Sequence, residues 1–476
     1  MAEPSCVLGD PEGPGNVFVR TIGLAGVATF LFRNKHAIRG NFARTEGLWS
    51  VLETPDDPVN VSVRSVGLAG VVMWAVLVDL VKLNWLDSNL LKQRAGNRIE
   101  YQDFVSYIEI DPEMQKYPQN IFMTTDTPTN VKITTSKTPE DQITCFNSSI
   151  TIRYPDFGTN VSSELKAIRI RSTENITVAV SAHHDITTLI PTEKLSTSYI
   201  VSPPSPDRRF QTFDAMTITA LQDNTSIVLS ELGLSVITNY TLDALETRIH
   251  RNADVLAYNI QSSKPVAVFC GMYCMSDVNC SNMIEQIPPS NQLDTIYIVP
   301  PNIDMLRTSA TIITEKNTFI TIRGITIPFG PGRRTRLSIT DNVLVLRSVD
   351  PILVTSQAFH KDASVGSPYL TVVPGVNQYL PWYKVVVPSG WNTNYIAVMM
   401  RKSAVSGLRA NKQSIKANTI RFEKNIAIED LEYSVIIAEV AEGELTLDTI
   451  DNTPFGLMVY GNRLGAGYGF AGNVLR

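Results

Sequence analysis

This sequence predicts an all-β protein of tandem antiparallel modules, and three observations lead there. From about Ile110 onward the chain is a succession of six- to nine-residue runs rich in Val, Ile, Thr and Tyr. Polar turn residues separate the runs, and many of them alternate apolar with polar side chains, the period of a half-buried strand. Beneath them lies a loose repeat that opens on a tyrosine and closes on a proline. Strand-helix alternation and long amphipathic helices are missing, which leaves a doubly wound nucleotide-binding fold without support.

The repeat justifies the modules one by one. A first copy opens at Tyr199 in "YIVSPP" and closes at "SSKPVAVF", with Pro265 three residues after Ser262. A second opens at Tyr297 in "YIVPP" and closes at "SVDPILV", with Pro351 three after Ser348. A third opens at Tyr383 in "YKVVVP" and closes at "DNTPFGLMVYG", with Pro454 three after Asp451. An earlier partial copy, "IRSTENITVAV", has Ser172 in the serine place and Asn175 where the proline would stand. Each proline precedes an apolar run, where a missing N–H need not break a central ladder. Sandwich-like modules and a β-propeller both use many short antiparallel strands, so the propeller remains the alternative. The organisation expected is a first, partial module over 110–198 and further tandem modules over 199–476.

Residues 1–90 stand apart as a duplicated apolar segment. "VRTIGLAGV" (Val19–Val27) returns as "VRSVGLAGV" (Val63–Val71) at an offset of 44. The run Ile22–Phe32 is too short to cross a bilayer as a helix. Val66–Leu83 carries thirteen apolar or glycine residues before Asp79, short of the roughly 20 needed. A buried helix or strand pair is the expectation there, with a membrane segment as its rival. The opening "MAEPSCVLGDPEGPG" has no basic region followed by an apolar run, so no secretory signal is recognisable.

Charge excludes one partner class. With 46 acidic and 41 basic residues the net charge is -5, and no field draws phosphate backbones, so nucleic acid is not expected. The one compact basic cluster, Arg333, Arg334 and Arg336 in "GPGRRTR", reads as a solvated hairpin tip. Its alternative is an anion site, for sulfated glycans as readily as for phosphate.

Five cysteines occur, three of them crowded as Cys270, Cys274 and Cys280. No second close pair completes a zinc set, and no C-x-x-C supports redox chemistry. A short disulfide between two of the three is the better reading, the third being buried or paired with Cys145. Cys6 is then left over, and an odd total leaves room for a bond to another chain. Seven N-x-[ST] sites, at Asn60, Asn147, Asn160, Asn175, Asn224, Asn239 and Asn279, give modest support for passage through the secretory pathway. Asn224 in "QDNTS" is expected to be exposed in a turn.

Catalytic signatures are absent: no G-x-S-x-G, H-E-x-x-H, P-loop or calcium-loop spacing occurs. G-x-G-x-x-G at Gly467, Gly469 and Gly472 has no helix after it and reads as a flexible or tightly turning tail. "HHD" at His183–Asp185 could begin a metal or acid-base site; a hydrated loop is the better reading. No cofactor and no metal site are expected.

The stretch "IQSSKPVAVFCGMYC", followed by "NCSNMIEQIPP", resembles the hallmark of the amino-terminal domain of IgG-Fc-binding protein and its mucus-associated relatives. Ser263, Lys264, Pro265, Val266, Gly271, Cys274, Cys280, Glu285, Gln286, Pro288 and Pro289 fit it in place. "IRIRSTENITVAV" (Ile168–Val180), "VLRSVDPILVTSQAF" (Val345–Phe359) and "YGNRLGAGYGFAG" (Tyr460–Gly472) follow in the family's order. The resemblance implies a non-catalytic, secreted or cell-surface protein of mucus, adhesion or barrier type. It implies extracellular proteins or glycans as partners, and a homo-oligomer is left open. It further implies a Cys274–Cys280 disulfide, with Cys270 as the extra cysteine and the partner for Cys145. A membrane-tethered surface protein and a glycan-active enzyme are the rival readings.

Overall fold

The computed structural model describes residues 102–107, 120–135, 142–153, 167–182, 184–204, 212–232, 237–251, 257–274, 283–303, 306–332, 334–339, 342–360, 369–463 and 466–472, and the backbone of six strands within 18–77. The chain divides into two units, Val7–Glu100 and essentially Tyr101–Arg476. In the smaller unit β1 (Phe18–Thr21), β2 (Val27–Leu31) and β3 (Ala37–Asn41) form one antiparallel sheet, and β4 (Leu48–Val51), β5 (Val59–Leu68) and β6 (Val71–Leu77) form another. The duplicated motif falls on β1 and the start of β2 in one copy and on β5 and the start of β6 in the other, so both copies build a hairpin. For the apolar run Val66–Leu83, the strand-pair reading holds as far as Leu77. Among the described residues no helix is long and apolar enough to cross a membrane.

The larger unit is four copies of one antiparallel module. The first has β7 (Gln102–Tyr107), β8 (Asn120–Thr125), β9 (Thr129–Thr135), β10 (Gln142–Phe146), β11 (Ser149–Arg153), β12 (Ala167–Ser172), β13 (Ile176–Ala182) and β14 (Asp185–Thr188). They pair as two four-stranded sheets, β10-β9-β12-β7 and β11-β8-β13-β14.

The second module has β15 (Ser196–Val201), β16 (Thr212–Ala220), β17 (Thr225–Glu231), β18 (Ile237–Leu242), β19 (Thr247–Arg251), β20 (Tyr258–Cys274) and β21 (Met283–Gln286). The third has β22 (Asp294–Val299), β23 (Leu306–Ile313), β24 (Thr318–Ile322), β25 (Ile325–Phe329), β26 (Thr335–Ile339), β27 (Leu344–His360) and β28 (Tyr369–Val372). In both, one 17-residue strand, β20 or β27, does the work of β12 and β13 together. Its first half pairs in one sheet and its second half in the other.

The fourth module has β29 (Trp382–Val387), β30 (Thr393–Arg401), β31 (Leu408–Ala410), β32 (Gln413–Ser414), β33 (Ile420–Ile428), β34 (Leu431–Glu439), β35 (Gly443–Thr449), β36 (Phe455–Arg463) and β37 (Ala466–Ala471). Its sheets, β29-β35-β31-β32 and β33-β34-β30-β36-β37, repeat the pairing with β33 added at one edge. Two sheets per module is a sandwich arrangement, and no propeller results.

The repeated tyrosine and proline mark the corner where the long strand changes sheet. The Tyr199 hydroxyl donates to Val266 O at 2.6 Å and accepts the Ser196 N–H at 3.0 Å. Tyr297 does the same with Ile352 O (2.5 Å) and Asp294 N (2.9 Å), and Tyr383 with Phe455 O (2.6 Å) and Leu380 N (3.1 Å). Each acceptor carbonyl belongs to the residue after the closing proline. A carbonyl at the bend and an N–H at the entry of the second, third and fourth modules are thus satisfied by one side chain. At the same corner the Ser262 hydroxyl donates to Lys264 O and the Ser172 hydroxyl to Glu174 O, both at 2.7 Å.

The cores pass from module to module and return to the start. Ala267, Phe269 and Ile284 of the second module pack into the core of the first. Ile313, Leu353, Leu370 and Val372 of the third pack into the second. Ile298, Ala358 and Tyr369 of the third share a core with Tyr395, Met399 and Tyr460 of the fourth. Phe122, Ala179 and Ile186 of the first complete the fourth. Lys384 of the fourth, on β29 against β8 of the first, donates to Thr125 O at 2.7 Å and lies 3.1 Å from Glu444 and 3.6 Å from Asp126.

Candidate functional site

The closing strands β14, β21, β28 and β37 are buried from end to end and meet at one axis. Equivalent residues share a level. The N–H groups of Leu189, Ile287, Val373 and Gly472 each donate to the preceding strand of their own module, at Val178, Val268, Val354 and Leu457. Counting back three residues gives Ile186, Ile284, Leu370 and Gly469, and all four of their N–H groups point at one carboxylate. Asp185 Oδ1 accepts from Ile186 (2.9 Å) and Gly469 (3.2 Å), and Oδ2 from Ile284 (3.2 Å) and Leu370 (3.1 Å).

Successive levels rise together along the four strands. Gln286 N–H donates to Thr187 Oγ1 at 2.9 Å, Val372 N–H to Glu285 Oε1 at 2.6 Å, and Thr188 Oγ1–H to Ala471 O at 2.6 Å. The strands therefore run in one direction about the axis. The connecting segments after the prolines or glycine, Thr192–Lys194, Ser290–Gln292 and Val376–Gln378, lie at their far end. These are stitched in series, Gln292 Nε2 donating to Lys194 O and Gln378 Nε2 to Gln292 O.

Two carboxylates are consequently buried on the axis. Burial pushes Asp185 well above the usual carboxylate range, while its four N–H donors pull the other way. Burial, with a smaller push from the charge of Asp185, also raises Glu285 against the pull of Val372 N–H and Thr187. Among the described residues Glu285 Oε2 has no hydrogen-bond partner, and neither has Thr371 Oγ1. Asp185 is 0 % and Glu285 2 % exposed, so neither can reach a substrate. With both oxygens of Asp185 taken by N–H donors, no lone pair is left to start a metal site. Among the described residues no group of three or more His, Cys, Asp or Glu is placed to hold a metal. The hydrated-loop reading of "HHD" is thereby corrected for Asp185: it is the shared acceptor of all four modules.

The near end of the axis, where β14, β21, β28 and β37 begin, is its hairpin end. His184 Nδ1 lies 3.1 Å from Arg463 Nη2, which joins the hairpin of the first module to that of the fourth. The Arg463 guanidinium lies 4.9 Å from the centre of the Trp391 ring, and Trp391 stands edge-on to Tyr468 with centroids 4.8 Å apart. The half-buried trio His184, Trp391 and Arg463 combines an aromatic face with a cation, a combination suited to anionic or sugar groups. His183 and the hairpin residues 275–282, 361–368 and 464–465 lie outside the described residues.

The predicted cysteines divide. Cys274 ends β20 with its backbone opposite Thr212, and its side chain and the whole of Cys280 lie outside the described residues. The backbone of Cys145 lies in β10 and its side chain is likewise outside them, as is Cys6. Cys270 is a buried thiol in the core of the second module, beside Met216 and Met272. The partner that the resemblance implies for it, Cys145, has its side chain outside the described residues. Alternation along β20 sends Ala267 and Phe269 into the first module's core and Val268 and Cys270 into the second's.

Among the sequons Asn147, Asn175, Asn224 and Asn239 are exposed, and Asn224 sits with φ 54° in the turn between β16 and β17. Asn60 lies on β5 with its side chain outside the described residues, where Asn160 and Asn279 also fall. Arg334 lies on the connection from β25 to β26 and Arg336 within β26; Arg336 is exposed and donates to Ser309 Oγ, and Arg333 is outside the described residues. The glycine-rich tail is β37, not a flexible end. A Cβ on Gly469 would stand 2.2 Å from Tyr369 Cε2, and one on Gly472 2.8 Å from Tyr383 Cδ1, so these glycines admit rings against the backbone.

The profile of the family described as IgGFc binding protein matches residues 185–461, from the shared aspartate into β36. The chain belongs to the IgGFc binding protein family. That family is one of extracellular, non-enzymatic binding proteins. No curated protein and no solved structure matches the chain.

Proposed function

We propose that this chain is a non-catalytic extracellular binding and structural protein of mucus, adhesion or barrier type, that it recognises extracellular proteins or glycans, and that the hairpin end of the axis is its recognition surface. The family match over residues 185–461 carries the reading. Two features support it: the cation and aromatic face that His184, Trp391 and Arg463 bring together at this end, and four sequons that present exposed asparagines. Glycans at Asn147, Asn175, Asn224 and Asn239 and a Cys274–Cys280 disulfide closing the second hairpin belong to the same proposal.

The test is interferometry of the glycosylated protein over immobilised immunoglobulin Fc and over secreted mucin, with Arg463→Ala and Trp391→Ala beside the wild type. Saturable binding to at least one surface, weakened in both variants, is the expected result. Absence of binding to both surfaces sinks the reading. Binding that both variants retain in full removes the hairpin end as its site.

A further inference from the structure

Arg463 ends β36 as a half-buried cation, and among the described residues no carboxylate lies against it. Its Nη2 is 3.1 and 3.4 Å from the two ring nitrogens of His184, and its guanidinium lies over the Trp391 ring; Nε and Nη1 have no partner among the described residues. Arg409 and Arg169, half-buried in the same way, are answered by carboxylates of the fold. Arg409 Nε and Nη2 donate to Asp448 Oδ1 and Oδ2, both at 2.8 Å, and Arg169 Nε donates to Asp103 Oδ2 at 2.8 Å. A cation drawn part-way out of water is costly without a counter-charge. His184 meets Nη2 alone, which leaves a two-donor edge of the Arg463 guanidinium open to another acceptor.

The backbone sets the indole beside this edge. Asn392 N–H donates to Asn462 O at 3.1 Å, next to the rung where Thr393 faces Asn462, and Gly390 takes φ 80° immediately before Trp391. Gly390 N–H is held in turn by Glu442 Oε2 at 3.1 Å. Part of the Trp391 ring packs against the core of the fourth module and meets Tyr468, while Gly390 and Asn392 on either side of it are exposed. The large apolar side chains exposed among the described residues, such as Phe319 and Val349 of the third module, stand on other strands. The described part of this end therefore lacks the apolar core of a protein–protein interface. One cation and one aromatic surface suit a compact anionic ring that carries C–H groups on its face.

We infer that Arg463 and Trp391 bind a carboxylated sugar of a glycan, a sialic acid or a uronate. The carboxylate takes the open edge of Arg463 as Asp448 takes that of Arg409, and the C–H face of the sugar ring lies on the exposed part of the indole. Both the guanidinium and the carboxylate are planar, which favours a carboxylate over a sulfate ester with its tetrahedral oxygens. The inference rests on the placing of the recognition surface at the hairpin end, and it narrows the glycans expected there to carboxylated ones.

The test is saturation-transfer NMR of the full-length protein, treated with sialidase so that its own glycans do not compete. The probes are sialyllactose, a hyaluronan tetrasaccharide, lactose and sulfated lactose, titrated into the wild type, Arg463→Lys and Trp391→Ala, with unchanged melting curves verifying the fold of the variants. At least one carboxylated probe is expected to bind the wild type about tenfold more tightly than lactose or sulfated lactose. Arg463→Lys keeps the charge and loses the two-donor edge, so it should lose about tenfold of that affinity, and Trp391→Ala should weaken it as well. Sialyllactose binding alone names a sialic acid, and tetrasaccharide binding alone a uronate. Three outcomes overturn the inference: no binding of either carboxylated probe, sulfated lactose bound as tightly as they are, or full affinity in either variant. Fc or mucin binding that Arg463→Ala and Trp391→Ala weaken, without response to the carboxylated probes, overturns it and leaves the hairpin end as the recognition surface. Carboxylated-sugar binding with neither Fc nor mucin bound does the reverse, sinking those partners and keeping the sugar site.

Discussion

Replacing Tyr199, Tyr297 or Tyr383 by phenylalanine removes one hydroxyl and nothing else. Each hydroxyl bridges an N–H at the module's entry, buried or half-buried, and a buried C=O at its corner, at 3.0 and 2.6 Å, 2.9 and 2.5 Å, and 3.1 and 2.6 Å. Two backbone groups are left without partners, each worth about 1–1.5 kcal/mol. A loss of about 2–3 kcal/mol is therefore expected for each variant. The three tyrosines occupy equivalent places in separate modules with no partner in common, so the losses should match each other and add. Urea titrations followed by circular dichroism and tryptophan fluorescence give the midpoints, with unchanged slopes showing that the folded state is retained. Losses below about 0.5 kcal/mol in two of the three would refute the claim that the hydroxyls hold the corners.

Two further perturbations act on the axis. The raised Glu285 keeps its proton in the folded chain to higher pH than in the unfolded chain, which titrates near about 4.3. Its contribution to stability is full below that value and is lost as pH rises through the folded one, at up to about 1.4 kcal/mol per pH unit. Glu285→Gln keeps the carbonyl that faces Val372 N–H and cannot ionise, so its stability should fall less steeply above about pH 5 than the wild type's; parallel curves would contradict this. Gly469→Ala drives a methyl into the Tyr369 ring and should cost about 1–3 kcal/mol or more in the same titration. Gly330→Ala, whose nearest contact is Asn317 Oδ1 at 3.5 Å, should be close to neutral; equal losses at the two positions would remove the packing explanation.

The modules were legible because their corners repeat in sequence. Tyrosine, serine and proline recur since the same carbonyl must be satisfied at each bend. The first module is the faint one for a physical reason. Asn175 stands in the proline place, no tyrosine opens β7, and a different bond is made at this corner: Gln102 Oε1 accepts the N–H of Ile176 at 2.7 Å. Asp185 was illegible as a shared acceptor. Its partners Ile284, Leu370 and Gly469 lie 99, 185 and 284 residues away and offer backbone N–H groups, which every residue but proline has. The adjacent histidines drew attention to surface chemistry that the strand beginning at Asp185 turns away from. Glycines in "GAGYGFAG" suggested a turn because strand interiors usually exclude them; rings from other strands, visible only in three dimensions, explain them. Apolar Phe319 and Val349 fit the strand pattern without betraying that their side chains face outward.

The central claim is that one carboxylate ties four modules together. Native-state hydrogen exchange, resolved at Ile186, Ile284, Leu370 and Gly469, tests it most directly when wild type is compared with Asp185→Asn. The substituted amide keeps one carbonyl and turns an NH2 toward two of the four donors, so protection should drop in the third and fourth modules as well as the first. A loss confined to the neighbourhood of Ile186, with Leu370 and Gly469 exchanging at their wild-type rates, would contradict the account.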